Sequence, residues 1–578
     1  MSPNPRSIAV LLVLALCSAT LSAQSTRPRR ARRHSPTTQE LQEQMQQMHD
    51  QLQAEIDALK QQLAARDAEL HAVQTNQTAE HAQTATAATY QAEDTAQVKS
   101  AIQQTQAETA ATASAVTQLK SGVAEVKQQQ KMMEHPASIH YKGVTLTPGG
   151  FLAGESIWRQ RAMNADIYTN FNSTPYNNSG EAHVSEWVPT ARQSRLSLLA
   201  SGKTSFGSLK AFVEGDFLSA GTTSNNLQSN SYTLRLRQAW GQATFGHTQF
   251  TGGQMWTLLT EDKKGASPGQ EAFPMFFDAN LHVGYTYIRQ TAFRVSHTFT
   301  PAFTLAASLE NSQYQFNASN APSNFFFGAP GAGGGLNNPT ASYTNQVAPD
   351  VVAKASFDPG FGHYEIGGVL RLFRDRYYPA KESASGATND TKVGGGLLLN
   401  ARVPIGPKVQ VGAHLLAGDG TGRYGASLLP DITVHPNGTL EPLRNTQGMF
   451  SIEAHPTPKL DLFGYAGTEY VQRTYYTNST GTLVGYAPPT LSNAGCNIES
   501  SPTGNNGTQP GASGCAGLTR NLVQGSVGYI YRIYSGPAGK LQYGLAYSYL
   551  LRNGWTGIGG APKATNNFVY TSFRYYLP

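Results

Sequence analysis

From about position 145 to 577, apolar and polar residues alternate in runs of about ten to fifteen. Side chains alternate faces along a β-strand, so each run predicts a strand with one greasy face and one polar face. Roughly sixteen runs can be counted, all longer than the roughly five to six residues usual in globular sheets. Residues 232–240 illustrate the pattern. Tyr232, Leu234, Leu236 and Trp240 fall on one face, interrupted by Gln238, while Thr233, Arg235 and Arg237 take the other. Leu209, Ala211 and Val213 oppose Lys210, Glu214 and Asp216 in the third run. In the fifteenth, Leu541, Tyr543, Leu545, Tyr547, Tyr549 and Leu551 oppose Gln542, Ser548 and Arg552.

The connections alternate too. Short ones lie near 202–205, 246–247, 300–301, 358–360, 404–407, 456–458 and 535–537; long polar ones include 160–188, 313–346, 418–445 and 474–517. A soluble sandwich also alternates, but short turns on one rim, long loops on the other and an even strand number describe a closed membrane barrel. The predicted fold is an all-β transmembrane barrel of 16 antiparallel strands over residues 138–578, preceded by an N-terminal α-helical coiled coil.

Ahead of the barrel, residues 1–23 read as a secretory signal: Arg6, the apolar run 8–16, then small residues up to Ala23. Leu16 is too bulky for a lipoprotein signal ending at Cys17. Residues 24–37 form a basic tail whose segment 27–34 is either a solvated run or a contact for an anionic polymer or lipid surface. Heptad positions run Leu41, Met45, Met48, Leu52, Ile56, Leu59, Leu63, Leu70 and Val73, with one extra four-residue step. A second series runs from Val98 to Val126, so residues 38–134 are assigned to periplasmic coiled-coil helices with a linker near 76–95. Such a stripe needs a second helix to cover it, which predicts association between chains.

Charged residues make up 14% of the chain, well below the roughly 25% of a soluble domain, as expected where one face of each strand meets lipid. The first 136 residues hold 12 Lys and Arg against 13 Asp and Glu, out of 43 and 37 in all. The barrel segment keeps the remaining 31 against 24 and is the basic part. A basic lumen in a low-dielectric wall attracts anions.

Strand parity turns Arg195, Arg235, Arg237, Arg294, Arg371 and Arg402 inward as candidate pore-lining and substrate-contacting residues. Arginine offers bidentate contact to carboxylate or phosphate; the same residues could instead pair with acids on neighbouring strands. Glu261, Asp262, Lys263 and Lys264 follow the fifth strand and either fold into the lumen as a constriction loop or sit on a solvated rim. Cys496 and Cys515 share one long loop, and an exported chain favours a disulfide over metal ligation. The Gly202-Lys203-Thr204 triplet lacks the first glycine of a phosphate loop, and no HExxH occurs. Neither a catalytic residue, a cofactor nor a bound metal is expected, although scattered Ser and His leave a nucleophile–base pair formally open.

The heptads ahead of a barrel, ARQSRLSL at 191–198, LRLRQAWGQ at 234–242 and GGQMWT at 252–257 together resemble the DcaP-like trimeric porins of Gram-negative outer membranes. The terminal Pro578 departs from the aromatic end of the usual barrel assembly signal. The resemblance implies three barrels per assembly, a periplasmic coil, and diffusion of small anionic solutes; a phosphate-selective pore is its near neighbour. The expectation is thus an outer-membrane porin, a homotrimer in outer-membrane lipid that passes small anionic solutes and binds no nucleic acid. The alternative is a structural protein whose coil anchors the membrane to the cell wall, with peptidoglycan as its partner.

Overall fold

A computed structural model describes residues 138–218, 232–330, 342–499 and 514–578, plus helical positions 60, 64–67, 69, 105 and 109. The chain divides into two units, Met1–Glu125 and Val126–Pro578. Apart from those helical positions, the signal, basic-tail and coiled-coil expectations lie outside the described residues.

The second unit is the barrel. Its strands are β1 (Val144–Arg159), β2 (Arg195–Thr204), β3 (Gly207–Asp216), β4 (Arg235–Phe245), β5 (Thr248–Trp256), β6 (Arg289–Thr300), β7 (Phe303–Glu310) and β8 (Asp350–Phe357). They continue as β9 (His363–Tyr377), β10 (Thr388–Ile405), β11 (Val409–Asp419), β12 (Arg444–Thr457), β13 (Leu460–Val471), β14 (Thr519–Gly536), β15 (Gly539–Gly554) and β16 (Lys563–Tyr576). Each pairs antiparallel with the next, and β16 pairs with β1 from Phe151↔Tyr576 to Arg159↔Phe568, closing a sixteen-strand cylinder. Closure leaves no unpaired sheet edge, which a lipid environment requires. The seven connections on the rim that bears Val144 and Tyr576 are two to five residues long, and the other rim carries the long loops.

The outer face is apolar. Phe293 and Leu397 are 74% and 70% exposed, with Leu196, Val213, Ile366, Val527 and Phe573 also outward. Near the short-turn rim, Phe206, Phe245 and Phe250 touch in sequence, as do Phe299, Phe303 and Phe357. Such aromatic bands sit at the membrane–water boundary of transmembrane barrels.

Two departures from simple alternation matter. Glu214 pairs with Gln238 and Gly215 with Leu236, so Arg237 is an extra residue opposite β3. The bulge turns both Arg237 and Gln238 inward and inverts the parity after them. Trp240, expected outward, is therefore inside, buried with Met255 and Ala292 and packed against Phe212. Alternation is also interrupted ahead of β2: Glu186–Thr190 pairs with the end of β1, residues 191–194 turn, and β2 starts at Arg195. In that turn Ser194 accepts from the Ala153 amide at 2.9 Å, and Gln193 donates to the Phe277 carbonyl at 2.5 Å.

Candidate permeation pathway and its charged lining

The connection between β5 and β6, residues 257–288, folds inward and crosses the lumen. Along it, Glu261 accepts from Arg402 at 3.1 and 3.2 Å, and Asp262 meets Lys354 at 2.7 Å. Met275 donates its amide to the Tyr465 hydroxyl at 2.7 Å, and Val283 and Gly284 donate theirs to Gln524 and Glu469. Thr286 and His414 are 2.7 Å apart, and Tyr570 donates to Asp278 at 2.9 Å. Partners on β8, β10, β11, β13, β14 and β16 thus hold one loop. A loop in the lumen must have its backbone polar groups satisfied, and the polar inward residues of these strands do that. Burial raises the proton affinity of Asp278, outweighing Arg159 and its hydrogen bonds, and lowers that of His282, whose Nε2 lies 3.0 Å from the Ser526 hydroxyl.

The predicted arginines separate into two kinds. Arg371 is buried between Asp350 at 3.1 Å and Asp431 at 2.9 Å, and it also donates to the Gly420 and Gln313 carbonyls. It fastens the β11–β12 loop to the wall. Arg402 bridges Glu261 to Glu453, 3.2 Å away. Among the described residues Arg294 forms no ion pair and instead caps the carbonyls of Trp256 and Ala266 at 2.6 and 3.4 Å. These three are committed to holding loops and strand ends.

Arg195, Arg235 and Arg237 form the second kind. Arg235 clasps Asp216 through two 2.9 Å contacts, Arg237 reaches Glu214 and Asp216 at 2.7 Å each, and Arg195 lies 3.5 Å from Glu214. Arg195 and Arg235 keep 26% and 29% of their side chains exposed, whereas Arg371 keeps 1%. Arg574 of β16 pairs with Glu155 at 2.7 Å and lies over the Phe151 ring, as Arg195 does. Sequence reasoning missed Arg289. It opens β6 directly after a loop, so no alternation precedes it; it lies over Trp256 at 4.8 Å and close enough to feel Arg235 and Arg237. Five guanidinium groups thus meet three carboxylates along β16 and β1–β6.

Of the four residues expected at a constriction, Glu261 and Asp262 point into the wall as described, while Lys263 and Lys264 are exposed. Cys496 and Cys515 are joined. Among the described residues no group of three or more His, Cys, Asp or Glu is assembled for a metal. Most inward residues of β8–β16 are buried beneath the loops, so the interior is much narrower than a bare sixteen-strand cylinder would be.

This architecture has a counterpart among solved structures. The outer membrane channel DcaP of Acinetobacter baumannii matches 76% of this chain and 99% of its own, at 15% identity and a TM-score of 0.52. The fold is that of an outer-membrane channel. An anion-selective porin from Comamonas acidovorans (10% identity, 75% and 100% covered, TM-score 0.40) and OmpF of Salmonella typhi (9%, 76% and 100%, 0.39) align less well and add no weight. No family model matches the chain, and no curated protein does. The likeness to the DcaP-type barrel, read first from short motifs, holds at the level of the fold, and the sixteen antiparallel strands stand as expected.

Proposed function

We propose that the protein is a passive outer-membrane porin, and that small anions cross it along the wall carrying Arg195, Arg235 and Arg237. The observation that supports this most is the surplus of guanidinium over carboxylate where inward arginines keep contact with water. Paired carboxylates fix these side chains in place while the remaining positive field favours anion entry. Glu261 and Asp262 act from the opposite side by anchoring the constricting loop to Arg402 and Lys354, and Lys263 and Lys264 add positive charge at its exposed part. Three copies assemble through barrel walls and coil, as the heptads and the resemblance suggest. The test is a planar-bilayer recording under a salt gradient. The expected reversal potential reports anion preference, and changing Arg235 and Arg237 together to Ala reduces the anion-to-cation permeability ratio by roughly tenfold. An unchanged ratio removes both residues from the pathway.

One observation favours a second reading. The loops fill so much of the interior that the barrel could serve mainly as a membrane plug, with the coil anchoring the cell wall. Under that reading the purified protein gives no conductance, and peptidoglycan retains the full chain but not a chain lacking residues 24–136.

A further inference from the structure

β9 and β10 are 15 and 18 residues long, more than the roughly 9–11 a tilted strand needs to cross a bilayer. Their joined ends at the long-loop rim therefore stand beyond the membrane. There Asp375 and Asp390 are directly opposed in the ladder, a placement in which like charges repel. Asp375 is 1% exposed, and among the described residues neither of its carboxylate oxygens is hydrogen-bonded; Asp390 Oδ2 is met only by the Lys392 ammonium at 3.3 Å. The surroundings are apolar: Phe373 packs with Tyr314, Ile432 and Leu440, and Phe325 and Phe327 lie against that cluster. The Tyr314 hydroxyl is spent on the Arg374 carbonyl at 2.8 Å. The Lys392 side chain is 36% exposed and acts on Asp375 only at a distance, without a direct ion pair. An ionised carboxylate buried without a partner is strongly disfavoured.

Facing each other across one ladder pair, the two carboxylates can be bridged by a calcium ion, which lies about 2.3–2.6 Å from each ligand oxygen. We propose that Asp375 and Asp390 bind a hard divalent cation, Ca2+ or Mg2+, with water completing its shell. The ion clamps the outer end of β9 to β10, and through the pairing of Phe325 and Phe326 with Tyr377 and Arg376 it steadies the adjoining loop. With two protein ligands the affinity belongs with open extracellular sites, on the order of 10⁻⁴–10⁻³ M.

The test uses the full-length chain in detergent, with Tb3+ as the luminescent probe sensitised by the neighbouring Tyr314 and Ca2+ as competitor. Saturable emission displaced by Ca2+ is expected, weakened about tenfold or more in Asp375→Asn. Lys392→Met, which removes the competing ammonium, tightens binding. Both variants keep the heat-dependent gel shift of a folded barrel, which separates lost binding from lost folding. Equal Tb3+ binding by wild type and Asp375→Asn overturns the proposal. So does a melting temperature that ignores Ca2+ yet falls as pH rises, because a proton alone then neutralises Asp375.

Discussion

Two parts of the inner wall carry the same residue types and do different work. On β8–β13, Lys354, Arg371 and Arg402 are buried against acids supplied partly by the loops, and these three charges are spent on holding segments inside the lumen. On β2–β4, Arg195, Arg235 and Arg237 pair with acids of a neighbouring strand, and Arg195 and Arg235 keep a water-facing edge. An inward arginine is therefore no evidence of solute contact by itself. What decides its role is whether a loop covers it.

The sharpest test of that division is stability. Arg371→Ala removes the nearest guanidinium from the buried Asp350 and Asp431 and is expected to cost about 3–5 kcal/mol in denaturant unfolding. Arg235→Ala leaves Asp216 paired with Arg237 and should cost only about 1 kcal/mol. Equal losses would erase the distinction between the two walls.

A second test is pH. Burial depresses the proton affinity of His282 in the folded loop, so the unfolded chain binds more protons below its usual value near 6.5. The stability that this neutral ring contributes is complete above that value and falls as pH drops toward the depressed one. A loss on the order of 1–2 kcal/mol between pH 7 and 5 is expected, and His282→Gln should abolish that component. A pH profile identical in the two proteins would mean that the crossing loop is not held through this ring.

Selectivity separates the walls more finely. Arg195→Ala is expected to lower anion preference about threefold, or ~0.7 kcal/mol, while Arg294→Gln, whose partners are carbonyls, leaves reversal potentials unchanged. The smallest effect concerns the loop closed by Cys496 and Cys515. Cys515→Ser should speed proteolysis within that loop while moving barrel unfolding by less than about 0.5 kcal/mol.

Much of the barrel was legible because strand periodicity is local. Parity placed Leu209, Val213, Leu236, Tyr547 and Tyr549 outward and Glu214 and Asp216 inward, as the structure has them. It failed where the ladder slips. Trp240 lies beyond the bulge at Arg237, and only the pairing with Glu214 and Gly215 reveals that extra residue. Arg289 follows a loop that carries no period, so nothing adjacent marked its face.

The order of residues by itself determined that this chain makes long two-faced strands, joins them alternately by turns and loops, and biases its barrel toward positive charge. Those properties depend on neighbours one and two positions apart. Only the tertiary structure decided which inward charges are consumed. Arg402 meets Glu261 across 141 positions, and Arg371 meets Asp431 across 60. Contacts so remote in sequence exist only once the cylinder has closed and its loops have turned inside.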